Sequence, residues 1–186
     1  MRRLFRAIAL ALAFTATVAT ASSSLTVEID KLMEALGWPG MVRISLQRGD
    51  LQKAAKAKLP EPDKADCIAG KYTEKRILSE IAAGYAEVYT DPTIVSETTM
   101  FMSAPGARKI LAAVSARAPA VGPSAAYEQN KSSAWNSLTS EERDRFTEFA
   151  KSPAGKAYIE VRARQTQVHQ RRLARLAAEV VEQCSK

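Results

Sequence analysis

The chain has 186 residues, with 27 Lys and Arg against 20 Asp and Glu, and a net charge of +7 with its single histidine neutral. That length supports one domain with a full core, and one histidine with two widely spaced cysteines excludes a multi-histidine metal centre or zinc finger. Part of the basicity sits at the very start: without Arg2, Arg3 and Arg6 the +7 falls to +4, a modest balance that does not point to nucleic acid.

The opening residues, 1–21, have the three-part order of a cleavable export signal. A basic start is followed by the apolar run Ala7 to Val18, then by the small residues Ala19-Thr20-Ala21. The run is well short of the roughly 20 residues a membrane-crossing helix needs. A buried N-terminal core helix is the alternative. Cleavage near Ala21 predicts a single helical domain over 22–186, located in the periplasm or secreted, with no transmembrane segment in the mature chain.

The rest predicts helix after helix. Leu25, Ile29, Leu32, Met33 and Leu36 recur at helical spacing before Gly37, and Trp38-Pro39-Gly40 predicts a turn. Met41 to Lys58 is expected to be helical in part, broken at Gly49-Asp50 and ended by Pro60 and Pro62. A further helix is expected from Ala65 to Tyr89, with Gly70 as a kink. Asp91-Pro92 opens the next, to about Met102, followed by one from Gly106 to about Arg117. Pro119 and Pro123 bound a connection, and Ser124 is expected to cap the segment holding Tyr127 and Trp135. Thr139 and Glu142 match a capping box. A long final helix follows from Pro153 to about Gln183, its apolar stripe running through Tyr158, Val161, Val168, Leu173, Leu176, Val180 and Cys184. No convincing strand pattern occurs. The class is all-α, a compact multi-helix bundle with a long C-terminal helix.

Two corners echo each other. Ser103-Ala104-Pro105-Gly106 and Ser152-Pro153-Ala154-Gly155 each follow a capped helix, 48 residues apart from cap to cap and 49 from Gly to Gly. This suggests a helix–junction–helix unit used twice, with few matching side chains. Ser152 is expected to cap the helix after it, Pro153 to fill the first turn, and Gly155 to admit a close neighbour. The rival use of the same corner is an anion held by the free N–H groups beside Lys156.

The segment from Leu138 to Glu160 resembles a family of small exported helical bacterial proteins known only as a domain of unknown function. Thr139, Glu141, Glu142, Phe146, Phe149, Ser152, Pro153, Gly155 and Lys156 fill its Phe-x-x-Ser-Pro-x-Gly-Lys signature and the acidic start before it. The family often has Tyr directly before the Ser segment, where this chain has Ala150-Lys151. The resemblance implies an exported helical domain and supplies no activity, and it gives the signature residues a structural role.

Few residues suggest chemistry. In an oxidising compartment Cys67 and Cys184 are expected to form a disulfide, the alternatives being free thiols or a redox pair without the usual Cys-x-x-Cys spacing. His169 lies among polar residues and is expected to be solvated. Glu141, Glu142 and Asp144 suit the positive end of a helix. Arg164, Arg171, Arg172 and Arg175 form a candidate anion-binding face. No catalytic residue, metal site or cofactor is expected. The reading is a non-enzymatic interaction or accessory domain of the cell envelope with a protein partner. One alternative is a module binding anionic lipid or polymer through the arginine face. Another is an envelope hydrolase using His169.

Overall fold

The computed structural model describes residues 24–49, 53, 64–115 and 125–185, and among them every regular element is an α-helix. The expected signal, Pro60, Pro62, Pro119, Pro123 and the Ser124 cap lie outside the described residues. The helices are α1 (24–35), α2 (Trp38–Arg48), α3 (Ala65–Lys71), α4 (Glu74–Val88), α5 (Pro92–Ser103), α6 (Pro105–Ser115), α7 (Ala125–Asn136), α8 (Ser140–Lys151) and α9 (Pro153–Ser185).

At 33 residues, α9 is about 50 Å long at 1.5 Å per residue, and it organises the bundle. It packs along α4 and also touches α3, α5 and α8, while α2 packs on α4 and α6 on α7. The core sits along this axis. Ile29 and Leu32 from α1, Ile77, Ile81 and Tyr85 from α4, and Val161, Leu176 and Val180 from α9 are all buried in it. The apolar stripe expected on the last helix is thus the face around which the other helices gather. No helix among the described residues is long and apolar enough to cross a membrane.

Two boundaries differ from expectation. Trp38-Pro39-Gly40 is the first turn of α2; the reversal is made by Gly37 alone, at φ 76°, a left-handed conformation that only glycine adopts without strain. Pro39 fits the first helical turn because its missing N–H has no intrahelical partner there. The helix expected over Ala65–Tyr89 is two. Thr73 takes an extended conformation and its side chain accepts a hydrogen bond from the Arg76 N–H at 3.2 Å, restarting the chain as α4. Gly70 is an ordinary helical residue. The break separates the direction of α3 from that of α4 and brings Cys67 to the end of α9, where it is joined to Cys184 with the two Cα atoms 5.9 Å apart.

The remaining caps match their sequence signals. Asp91 accepts from the Thr93 N–H at 2.8 Å. Thr139 and Glu142 form the full reciprocal box, at 3.1 and 2.9 Å.

The repeated corner is also present, one residue out of the expected register. Ala104 (φ −67°, ψ 149°) and Ser152 (φ −68°, ψ 160°) have nearly the same backbone conformation, and each is followed by Pro at the first helical position. Counted from the prolines, the spacing is 48, equal to the cap spacing, so Ser152 corresponds to Ala104 rather than to Ser103. Ser103 is the exposed last residue of α5. The same register equates Phe101 with Phe149, and these two rings stack on each other with centroids 3.8 Å apart and planes 3° from parallel.

Candidate functional site

The site is built outward from the α8–α9 corner. The Ser152 hydroxyl donates to the Phe149 carbonyl at 2.8 Å and accepts from the Gly155 N–H at 3.0 Å. The Lys156 N–H bonds the Ser152 carbonyl at 3.0 Å. A Cβ on Gly155 would overlap the Phe149 carbonyl oxygen, so the sharp corner requires glycine. The Gly155 and Lys156 N–H groups are thus spent within the corner, which counts against their holding an anion there. Ser152, Pro153 and Gly155 shape the chain, and Lys156 is exposed.

The α8 start is pinned to the other corner. Glu142 accepts from Thr139 and also takes the Lys109 ammonium, at 2.8 and 2.9 Å to its two oxygens. The Lys109 bond and then the Thr139 N–H hold its carboxyl below the usual range. Its Cβ would stand 3.2 Å from a Cβ placed on Gly106, so the small residue there lets α8 approach α6. Glu141 pairs with Arg145 on the surface at 2.7 Å.

With both corners held, five aromatic residues join in a chain of edge-to-face, stacked and tilted contacts. Trp135 meets Phe146 at 5.3 Å, Phe146 meets Phe101 at 4.9 Å, Phe101 stacks on Phe149, and Phe149 meets Tyr158 at 6.3 Å. Four of them, Phe101, Phe146, Phe149 and Tyr158, form one wall of an open cleft of about 280 Å³ between α5, α6, α8 and α9. Met102, Ala107, Ile110, Leu111, Ala150 and Ile159 complete its apolar lining, and Lys131 and Arg162 supply its only charged side chains among the described residues. Ile159, also in the lining, is 60% exposed. The signature residues Phe146 and Phe149 thus serve a surface as well as the fold.

His169 is not solvated; it is 8% exposed. Its ring lies edge-on to Tyr85 at 5.0 Å and to Trp38 at 5.7 Å. Nε2 would be 2.8 Å from a Cβ on Gly84, so glycine on α4 makes room for the imidazole. Trp38 donates its indole N–H to the Tyr85 hydroxyl at 2.8 Å. Burial is the main cause holding the His169 pKa below its ordinary 6.5, opposed by a hydrogen bond to the backbone of Ile81 and aided by the charge of Arg172. The polar neighbours in sequence misled because Thr166, Gln167, Gln170 and Arg171 point to solvent while His169 itself is buried. The spacing carried the correct signal: His169 precedes Leu176 by seven residues and Val180 by eleven, which places it on the apolar stripe.

A pH dependence follows. The unfolded state takes up a proton near pH 6.5 while folded His169 resists it, so stability present above pH 6.5 is lost as pH falls from there to the lowered folded value. Glu28, Glu87 and Glu142, all lowered from 4.5, lose theirs only below pH 4.5. Thermal melts between pH 8 and pH 5 are expected to show a falling midpoint below 6.5, with a flatter profile in His169→Gln.

The arginine face is engaged across the bundle. Arg172 bonds Glu80 at 2.9 Å and Glu87 at 2.5 Å, Arg171 bonds Glu87 at 2.6 Å, and Arg175 lies 3.5 Å from Glu80 and 3.7 Å from Glu179. Arg76 reaches Glu179 at 3.2 Å. These pairs zip α9 to α4 and offset most of the charge that an external anion would meet. Arg164 is exposed. Among the described residues no group of three His, Cys, Asp or Glu side chains is placed to hold a metal.

Comparison of this chain with protein-family models, with curated proteins and with solved structures finds no match.

Proposed function

We propose that the protein is an exported, non-enzymatic binding domain of the cell envelope, held by the Cys67–Cys184 bridge, whose binding surface is the aromatic cleft between α5, α6, α8 and α9. The cleft carries the reading. It gathers Phe101, Phe146, Phe149 and Tyr158 from three helices around an open apolar space, and ligand sites are concave and mostly apolar. Export is supported by the bridge, since persistent disulfides belong to oxidising compartments, and by the order of residues 1–21. The resemblance read from Leu138 to Glu160 points the same way on location.

Two observations favour this reading over its rivals. The hydrolase reading needs His169 at a substrate, and its ring is enclosed by Tyr85, Trp38 and Gly84. The arginine-face reading needs unopposed charge, and Arg171, Arg172 and Arg175 are matched by Glu80, Glu87 and Glu179.

An uncharged apolar dye, N-phenyl-1-naphthylamine, is expected to fluoresce when mixed with the folded protein. Ile159→Asp places a charge at the cleft edge and is expected to abolish the signal, whereas Ile44→Asp, on α2 and also exposed, leaves it intact. No signal, or a signal indifferent to Ile159→Asp, refutes the binding reading.

A further inference from the structure

We propose that α2 is an acid-released flap: a proton on His169 lifts α2 from α4 and uncovers the Trp38–Tyr85–His169 ring cluster while the rest of the bundle stays folded. This device stands apart from the aromatic cleft and needs no ligand.

The histidine is built in as a neutral ring. Its Nε2 is buried without a hydrogen-bond partner, and its other nitrogen is served by the backbone of Ile81. A methyl group on Gly84 would overlap Cδ2 and Nε2, so no water fits on that side. A neutral imidazole needs only one donor satisfied. A protonated one has two, and the second would be left unpaired on a buried charge.

No charged neighbour relieves it. Arg172, three residues further along α9, opposes the proton. On α4, Glu80 and Glu87 are engaged by Arg172 at 2.9 and 2.7 Å, and Glu87 also by Arg171 at 2.6 Å. The Tyr85 hydroxyl already accepts the Trp38 indole N–H. From α2 the ring meets Trp38 itself, which is uncharged.

The weakest wall around the ring is α2. Ion pairs and the main core join α4 to α9, whereas α2 has one fully buried side chain, Val42, and an exposed Arg43–Glu74 pair. An element with so few buried contacts opens before the domain does. Both its ends are left-handed glycines, Gly37 at φ 76° and Gly49 at φ 67°, and such residues at element termini serve as hinges. With α2 swung out, water reaches His169 and the proton is accommodated. The open form then binds a proton near the ordinary 6.5 and the closed form resists it, so opening is favoured as pH falls below 6.5.

Amide hydrogen exchange of the full chain at pH 7.5 and pH 5, with the intrinsic pH dependence of exchange removed, tests the flap. Peptides within 38–48 are expected to lose protection by about ten- to thirtyfold, the ceiling set by the gap between 6.5 and pH 5. That loss is expected to be indifferent to dilute urea, because little surface opens, while α4 and α9 exchange more slowly and respond to urea. In His169→Gln the acid-dependent loss in α2 is expected to disappear. A common rate and urea response for α2 and α9 overturns the flap in favour of whole-domain unfolding, and a loss that persists in His169→Gln overturns the part given to His169. The single histidine also gives one imidazole signal by NMR in the unaltered protein, so no variant is essential. Its titration is expected to track the loss of protection in α2, and a ring that takes up its proton while α2 stays protected overturns the proposal.

Discussion

Cys67→Ser will lower the stability of the folded protein by about 4–5 kcal/mol, the chain-entropy value for a closed loop a little over 100 residues long. The bridge spans 117 positions, nearly the whole described domain from α3 to the end of α9. Two features put it at the upper part of the usual range. The helix that carries Cys67 has only 7 residues, too few to be stable alone. Its partner, buried Cys184, lies in the last turn of α9, four residues after Val180. Without the bridge, α3 and the last turns of α9 are held only by noncovalent packing in the core that Ile68, Tyr72, Leu176 and Val180 share. At about 2–4 °C per kcal/mol for a chain of this size, the melting temperature will drop by about 8–20 °C. Urea unfolding of the oxidised protein and of Cys67→Ser measures the difference, and a loss below about 1 kcal/mol contradicts the staple.

Gly155→Ala will cost about 3 kcal/mol or more, at or beyond the upper end of ordinary overpacking, because the obstacle is backbone. The added methyl group meets the Phe149 carbonyl oxygen and the Ala150 Cα, so no side chain can rotate aside to relieve it. The corner must open. That also moves Phe149 off Phe101 and disturbs the cleft. Gly70→Ala is the matched control, since a Cβ there meets nothing within 4 Å. In that exposed helical position alanine stabilises by about 0.5–1 kcal/mol. The two substitutions therefore shift the urea midpoint in opposite directions. A Gly155→Ala protein as stable as the parent would show that the corner is not as tight as drawn.

Sequence periodicity was most informative where a helix buries one continuous stripe. The long span of α9, the caps at Asp91 and Thr139 and the helical class were all readable, because capping and 3.6-residue spacing are local. It failed where two local signals overlapped. The apolar face from Ile68 to Tyr89 runs smoothly across Tyr72 and Thr73, so the break between α3 and α4 was hidden; only the Thr73 hydroxyl, an inconspicuous cap without an acidic residue three positions on, marked it. Ser103 and Gly106 drew the repeat one residue out of register because residue type was matched rather than the proline that sets the backbone. The Cys67–Cys184 pairing was legible from the cysteine count and the expected compartment.

The candidate site was only half visible. Phe146, Phe149, Ser152 and Gly155 stood out as a signature, yet their division into corner-forming and cleft-lining residues depends on Phe101, Leu111 and Ile159, which come from elsewhere in the chain. Lys131 and Arg162 were lost among 27 cationic residues. The arginine row had the clearest sequence pattern, and its opposing carboxylates on α4 were 84 to 95 positions away. Pairing across such distances is set by how α4 lies along α9, which no local pattern encodes.

The central claim is that the aromatic cleft, rather than any other exposed apolar position, is where this protein meets its ligand. Photo-crosslinking in living cells tests it most directly, with p-benzoylphenylalanine placed in turn at Ile159 and at Ile44, exposed 60% and 48% respectively. Intact-mass analysis is predicted to find a small-molecule adduct on the Ile159 variant alone. Adducts on the Ile44 variant alone, or equally on both, would contradict the account.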